Sequence, residues 1–228
     1  MIDRLLQTIA PHYCYSCQKI GTLLCDSCIY NITSDNEQAC VICGRLAVHG
    51  ICATCDDTYS KAWCVGEREG VLARLVDDYK FERVKAFSVV GAKLLDAQIP
   101  LLPAATRIVP VPTIHSHIRQ RGYDHTALLA KQFAALRGLT YAPIVERATS
   151  THQRGASRRQ RFSQAQRAFT ATGKIDELSP VLLVDDILTT GATLHYAAHT
   201  LKAAGVQTVW VAVIARQPLD KTGSHLLK

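Results

Sequence analysis

Apolar and polar positions follow no lasting period up to about residue 60, apart from Ile2, Leu5, Leu6 and Ile9. These four fall at helical spacing before Pro11. From Gly66 onward the pattern becomes regular. Leu72, Leu75, Val76 and Tyr79 stand at i, i+3, i+4 and i+7 and predict one helix; Val84, Phe87, Val90 and Leu94 predict a second. TRIVPVP (106–112) reads as a short buried strand ending in prolines, which cannot donate to a ladder. Leu129, Phe133 and Leu136 mark a helix stopped by Gly138. APIVERA (142–148) predicts a second strand and VLLVD (181–185) a third. Leu194, Ala197, Ala198 and Leu201 mark a helix ending at Gly205, and QTVWVAVIA (207–215) a fourth strand.

Strands separated by helices of this length imply a parallel sheet with crossover helices. Strands that are apolar almost throughout imply burial on both faces. DDTYSKA (56–62) is polar and reads as a linker, so the expected organisation is a small head at 1–60 and an α/β domain at 61–228. With 48% apolar residues the chain has the composition of an ordinary globular protein. No run approaches the ~20 apolar residues of a membrane-spanning helix. The first residues lack a basic leader, a long apolar stretch and a cleavage site, so a cytoplasmic protein with no membrane span is expected. The formal charge of +7 is compatible with nucleic acid or a phosphorylated small molecule as partner, and requires neither.

Eight of the nine cysteines lie between residues 14 and 55, in C-x-x-C pairs: Cys14/Cys17, Cys25/Cys28, Cys40/Cys43 and Cys52/Cys55. CYSCQKIGTLLCDSC and CVICGRLAVHGICATC repeat one plan. Each C-x-x-C turns two thiolates toward one point, and two such knuckles complete a tetrahedral site with four sulfur ligands. Tandem pairs in a reducing compartment favour zinc over disulfides. The expectation is one or two structural Zn²⁺ ions, since a site closed by four sulfurs has no open coordination position. Repeat symmetry favours sequential pairing, and interleaved pairing is geometrically open. A head so poor in large apolar residues draws its folding energy from the metal. Cys64, outside the pattern, reads as a small buried residue.

VLLVDDILTTGATL (181–194) is a strand, an Asp-Asp pair, and a Thr- and Gly-rich loop opening a helix. Ligands of open α/β sheets bind beyond the carboxyl ends of the strands. A helix N-terminus behind Thr hydroxyls and Gly191 is suited to phosphate. Two carboxylates repel phosphate, so Asp185 and Asp186 must face hydroxyls or a divalent cation. A ribose 5-phosphate carries both kinds of group. Neither G-x-x-x-x-G-K-[ST] nor G-x-G-x-x-G occurs in the chain.

LLVDDILTTGAT resembles the phosphoribosyl-pyrophosphate signature of the type I phosphoribosyltransferases. That resemblance implies that Asp185 and Asp186 hold the ribose 2′- and 3′-hydroxyls. It implies that Thr189, Thr190, Gly191, Ala192 and Thr193 hold the 5′-phosphate. The four-knuckle head, then VPVP…RQRGYDHTALLA, then an Arg/Gln segment and the signature, is similar over nearly the whole chain to the ComF/GntX family of competence-associated proteins. The implied fold is a type I phosphoribosyltransferase-like α/β parallel sheet with flanking helices, preceded by a small four-cysteine zinc-ribbon domain. Val111, Pro112 and Thr113 would supply the pyrophosphate loop. The family usually reads R-G-[FY]-N-Q where this chain has RGYDH, so Asp124 and His125 replace two amides. Lys80 matches a lysine common in the family, set against an ordinary helix-face lysine.

Residues 146–167 carry six arginines and one acid. Three readings stand: a hood over the site, a nucleic-acid surface, or a solvated loop. Gln153 and Arg161 match the family's Q…R spacing, and Arg158 and Arg159 are the candidates for nucleic acid. His115, His117, Arg119 and Arg121 follow the pyrophosphate loop and are candidates for phosphate contact. The implied chemistry is displacement of pyrophosphate from C1 of the ribose with Mg²⁺, and the acceptor is not written in the motifs. The implied role is natural transformation, the uptake of single-stranded DNA into the cytoplasm with other competence proteins. The alternative is a non-catalytic ligand sensor or nucleic-acid adaptor that uses the zinc head and the Arg-rich segment.

Overall fold

The computed structural model of the chain describes residues 12–34, 39–81, 84–147, 168–173 and 176–218. The helical spacing at Ile2–Ile9 and the candidates Gln153, Arg158, Arg159 and Arg161 lie outside them. The elements run α1 (Asp26–Thr33), β1 (Lys61–Glu67), α2 (Gly70–Phe81), α3 (Phe87–Gln98), β2 (Arg107–Pro110), α4 (His115–Arg121) and α5 (His125–Arg137). Then come β3 (Thr140–Tyr141), β4 (Val145–Arg147), β5 (Phe169–Ala171), β6 (Val181–Leu188), α6 (Ala192–Ala203) and β7 (Val209–Arg216). One five-stranded sheet has the order β1-β7-β6-β2-β3, every pairing parallel.

The predicted faces of two helices pack throughout, whereas Val84 precedes α3 and Leu136 of α5 is exposed. Leu72, Leu75, Val76 and Tyr79 of α2 are buried, as are Leu194, Ala197, Ala198 and Leu201 of α6. Gly138 ends α5 in the left-handed region, with φ of 63°. Val181, Leu182, Leu183 and Val184 are fully buried, and each such aliphatic side chain contributes ~1.5–3 kcal/mol. Alternation along β6 divides the core. Leu182 and Val184 face α2, α3 and α5, whereas Val181 and Leu183 face α6.

Two expectations are corrected. Residues 56–62 are no linker: Lys61 and Ala62 open β1, in register with Trp210 and Val211 of β7, and Asp56 and Tyr59 are buried. APIVERA adds no strand to the main sheet. Pro143 has no N–H to donate and ends the edge strand β3, and Val145–Arg147 instead pairs antiparallel with Phe169–Ala171. Cys64, on β1, is half-buried, and its thiol donates to the Gly66 carbonyl at 3.2 Å.

The head has too few apolar residues for its own core and uses the sheet's. Leu23, Leu24 and Ile29 join the cluster on the α2/α3 face; Val41, Ile42, Ala47 and Tyr59 join the one on the α6 face. The two halves of the cysteine repeat therefore lie on opposite faces. At Gly50, with φ of 72°, a Cβ would stand 1.9 Å from the Ala62 carbonyl oxygen, so only glycine lets the second half meet β1.

Candidate functional site

The chain leaves β2 toward β3 in one direction and β6 toward β7 in the other. The crevice between the carboxyl ends of β2 and β6 is therefore the topological switch point, where open α/β sheets bind ligands. A cavity of ≈ 210 Å³ opens there. Val111, Pro112 and Thr113 form one side, while Asp185, Asp186 and Thr193 form another. Lys80, His117, Arg121, His125 and Arg147 complete it with cationic and imidazole groups.

Asp186 is buried at 2% exposure, on the side of β6 that faces α2 and α5. Its Oδ2 lies 3.0 Å from Lys80 Nζ and 2.9 Å from His125 Nε2. Both are ion-pair distances, but neither contact is aligned as a hydrogen bond, so Oδ2 remains a buried acceptor without a directed donor. Burial pushes this carboxyl up, yet His125 and Lys80 outweigh it and hold the group well below the usual carboxylate range. Arg121 Nη1 lies 2.8 Å from His125 Nδ1. The same Nη1 lies 3.2 Å from Nε2, so the guanidinium rests against the imidazole while Nε2 faces Asp186. Tyr79 further fixes the position by donating to the His125 carbonyl at 2.5 Å.

Asp185 has the opposite environment. It is half-buried. Burial, followed by the charge of Asp186, pushes its carboxyl well above the usual range against the pull of Lys80. Its Oδ1 accepts from the Asp186 amide at 2.8 Å. The strand then turns through Gly191 (φ 80°, ψ −13°), which caps α6 without a side-chain bond. First-turn amides of a helix have no intrahelical acceptor and face outward. Thr189, Thr190 and Thr193 are exposed around them. Partial desolvation, then the charge of Arg121, holds the His117 imidazole below its ordinary value.

Of the other candidates, Asp124 caps α5 by accepting from the Ala127 amide at 3.0 Å. It also takes the Thr113 hydroxyl at 3.0 Å, tying the proposed pyrophosphate loop to α5. Arg119 is exposed on α4 and does not line the cavity, whereas Arg121 on the same helix does. Arg147, at the start of the Arg-rich segment, lines the cavity with its guanidinium 5.1 Å over the Phe169 ring. The sequence marks His125 only as a departure from the family motif and does not reveal its pairing with Asp186. The signal for its burial was a polar residue at the first position of the buried stripe His125, Leu129 and Phe133.

The cysteines gather in sequence order: Cys14, Cys17, Cys25 and Cys28 in one group, Cys40, Cys43, Cys52 and Cys55 in the other. Within each group the sulfurs all lie within 4.8 Å of one another. Cys17 and Cys25 Sγ are 3.6 Å apart, and Cys43 and Cys52 Sγ 3.7 Å. A tetrahedral ion with Zn–S bonds of ~2.3 Å requires about 3.8 Å between sulfurs, so both groups fit structural zinc. Burial pushes the Cys14 thiol up, and hydrogen bonds from the backbone at Cys17, Cys25 and Ser16 outweigh it, bringing it down to about 6. In the second group, the hydrogen bond with Thr54 leads in bringing Cys52 to about 6. No helix among the described residues is long and apolar enough to cross a membrane.

Comparison with known proteins agrees with this architecture. Residues 126–223, which include the carboxylate pair and the Thr/Gly loop, match the phosphoribosyl transferase domain. The chain is 30% identical over 208 residues to Competence protein F of Haemophilus influenzae, covering 85% of this chain and 90% of that protein. It is 26% identical to Competence protein ComFC of Bacillus subtilis, over 81% of this chain and 82% of that one. It is 28% identical to the DNA utilization protein YhgH of Salmonella typhi, over 90% and 97%. A parallel sheet with this switch-point loop, carrying two four-cysteine groups and sharing this likeness along most of its length, belongs to the ComF-type phosphoribosyltransferase family.

Proposed function

We propose that the switch-point cavity binds phosphoribosyl pyrophosphate. The observation that carries this reading is the division of the cavity: a carboxylate at the strand end, cations from α2 and α4 with an imidazole from α5, and an αL-glycine loop at a helix N-terminus. A ligand with hydroxyls between two anionic ends matches that division. Asp185 takes the ribose hydroxyls, with Asp186 fixed behind it by Lys80 and His125. Thr189 to Thr193 take the 5′-phosphate through the loop amides and hydroxyls. Val111 to Thr113 take the pyrophosphate, with Arg121 beside them. Half-buried Asp185 also suits Mg²⁺, which binds through one or two carboxylates together with substrate phosphates. When bound, the ion supplies positive charge that eases departure of pyrophosphate.

The protein's own work in pentosyl transfer is positioning and charge stabilisation. Arg147 lines the cavity, which supports a hood role for the segment that contains Gln153, Arg158, Arg159 and Arg161. Relatives named as competence and DNA utilization proteins support a role in DNA uptake during natural transformation, with single-stranded DNA and competence proteins as partners. Calorimetric titration with phosphoribosyl pyrophosphate and Mg²⁺ tests the site. Saturable binding by the wild type, lost in Asp185→Asn/Asp186→Asn, is expected; absence of binding by the wild type overturns the reading. Pyrophosphate release in the same mixture separates turnover from sensing.

A further inference from the structure

The knuckle between Cys40 and Cys43 lies against the phosphate loop. A Cβ built on Gly191 would stand 3.2 Å from Ile42 Cδ1 and 3.6 Å from its Cγ1. Ile42 therefore seats on the residue whose φ of 80° turns β6 into α6. On the far side of the same group, Asp56 follows the last cysteine. Its Oδ1 accepts from the Thr58 amide at 2.8 Å and the Thr58 hydroxyl at 2.6 Å. Its Oδ2 lies 3.0 Å from His195 Nδ1. The amide of His195 donates to the Gly191 carbonyl at 2.9 Å, the first backbone bond of α6.

Two further ties complete the frame. Arg216 Nη1 donates to the Cys40 carbonyl at 3.3 Å. The Gln217 amide donates to the carbonyl of Leu188, the last residue before the loop, at 2.9 Å. The first four-cysteine group is tied elsewhere: the Tyr15 hydroxyl reaches Asp78 on α2 at 2.5 Å, and Arg74 donates to the Tyr15 carbonyl at 2.8 Å.

We propose that the second four-cysteine group, holding its metal, positions the phosphate loop, and that Ile42 and the Asp56–His195 pair are the residues that transmit it. The ligand part of this inference rests on reading the loop as a phosphate cradle. Within the loop the Ala192 amide donates to Thr190 Oγ1 at 3.4 Å, a long bond, so packing against Gly191 adds to what holds the loop. The metal fixes Cys40 and Cys43, the two ends of the knuckle that carries Ile42. A loop that spends only part of its time in the binding-competent form binds more weakly by that fraction. Ile42 and His195 are positioning residues and need not touch the ligand.

The test uses the full chain with Ile42→Ala, Ile42→Val and His195→Leu. Each variant is checked for zinc content and thermal unfolding, then assayed in two ways. Hydrogen exchange of the amides of residues 192–196 reports the order of the loop and the first turn of α6. Calorimetry with phosphoribosyl pyrophosphate and Mg²⁺ reports affinity. With zinc retained, Ile42→Ala and His195→Leu are expected to exchange faster at these amides and to bind about tenfold more weakly. Ile42→Val, which keeps most of the contact, stays near wild type. Wild-type protein stripped of metal by a chelator shows the same faster exchange. Wild-type exchange and affinity in both Ile42→Ala and His195→Leu overturn the inference. If the wild type itself fails to bind, the ligand reading is lost, and the exchange experiment still decides whether the metal group holds the loop.

Discussion

Replacing Asp186 by Asn keeps the shape of the side chain and removes its charge, so it isolates the electrostatics of the site. The carboxylate faces Lys80 Nζ at 3.0 Å and His125 Nε2 at 2.9 Å, and the Lys80 side chain is 17% exposed. Removing one partner of a buried pair costs ~3–5 kcal/mol, because the other charge is left uncompensated. Lys80 can turn toward the water of the cavity, which places the cost near the lower end, at ~3 kcal/mol. At ~2–4 °C per kcal/mol for a chain of this size, Tm falls by about 6–12 °C. Asp185→Asn has the opposite sign. Burial and the neighbouring charge of Asp186 raise the Asp185 carboxyl in the folded state, so this group costs stability as pH rises above its unfolded value of ~3.9. Neutralising it removes that cost, and the apo protein melts at or above the wild-type temperature. Asp186 is depressed in the folded state, so its contribution is complete above ~3.9 and is lost as pH falls toward the folded value. The gap between wild type and Asp186→Asn therefore narrows below about pH 4. Thermal unfolding of the ligand-free protein from about pH 3.5 to 8 checks both signs. An Asp186→Asn protein melting within about 2 °C of wild type at neutral pH refutes the ion-pair reasoning.

Two other predictions concern the head. Metal analysis is expected to find one zinc in each of the two four-cysteine groups, with Cys17→Ser and Cys43→Ser each lowering the total by one ion. Loss of both ions from either variant would show that the groups are not independent sites. At Gly50 an alanine Cβ meets a backbone oxygen at 1.9 Å, which no rotamer can relieve. Gly50→Ala should cost ~3 kcal/mol or more in urea unfolding. Gly21→Ala, whose Cβ has nothing within 4 Å, should cost clearly less.

Helices α2, α3, α5 and α6 are legible because each buries one face against a sheet already rich in aliphatics, whereas α4 buries no residue and leaves no such pattern. Four positions at helical spacing sufficed for α2 and again for α6. β1 was not legible. As an edge strand it alternates burial weakly and follows a polar run, and only its pairing with β7 makes it a strand. APIVERA carried a strand signal, but Pro143 decided which sheet it could join. In the head, cysteine spacing marks the four knuckles and repeat symmetry favours sequential groups, while interleaved pairing stays open until the structure brings the sulfurs together. The spacing gives nothing of the groups' placement on the two faces, because that is set by contacts with residues far along the chain.

The Asp-Asp pair shows the same limit at the site itself. Its position at a strand end, before a loop that opens a helix, could be read from a single stretch. The fates of the two carboxylates could not. Successive side chains of a strand point to opposite faces, so adjacent aspartates enter different surroundings. One meets Lys80 and His125, which reach it from two separate helices with no local signal linking them. The other meets no such clamp and keeps its carboxylate toward the cavity. The burden is thus distributed unequally: Lys80 and His125 hold Asp186 as an anion, whereas burial and Asp186 disfavour the charged form of Asp185, which a cation would favour. By this argument the adjacent carboxylates are a buried anchor, held as an anion by Lys80 and His125, and a binding group one residue away.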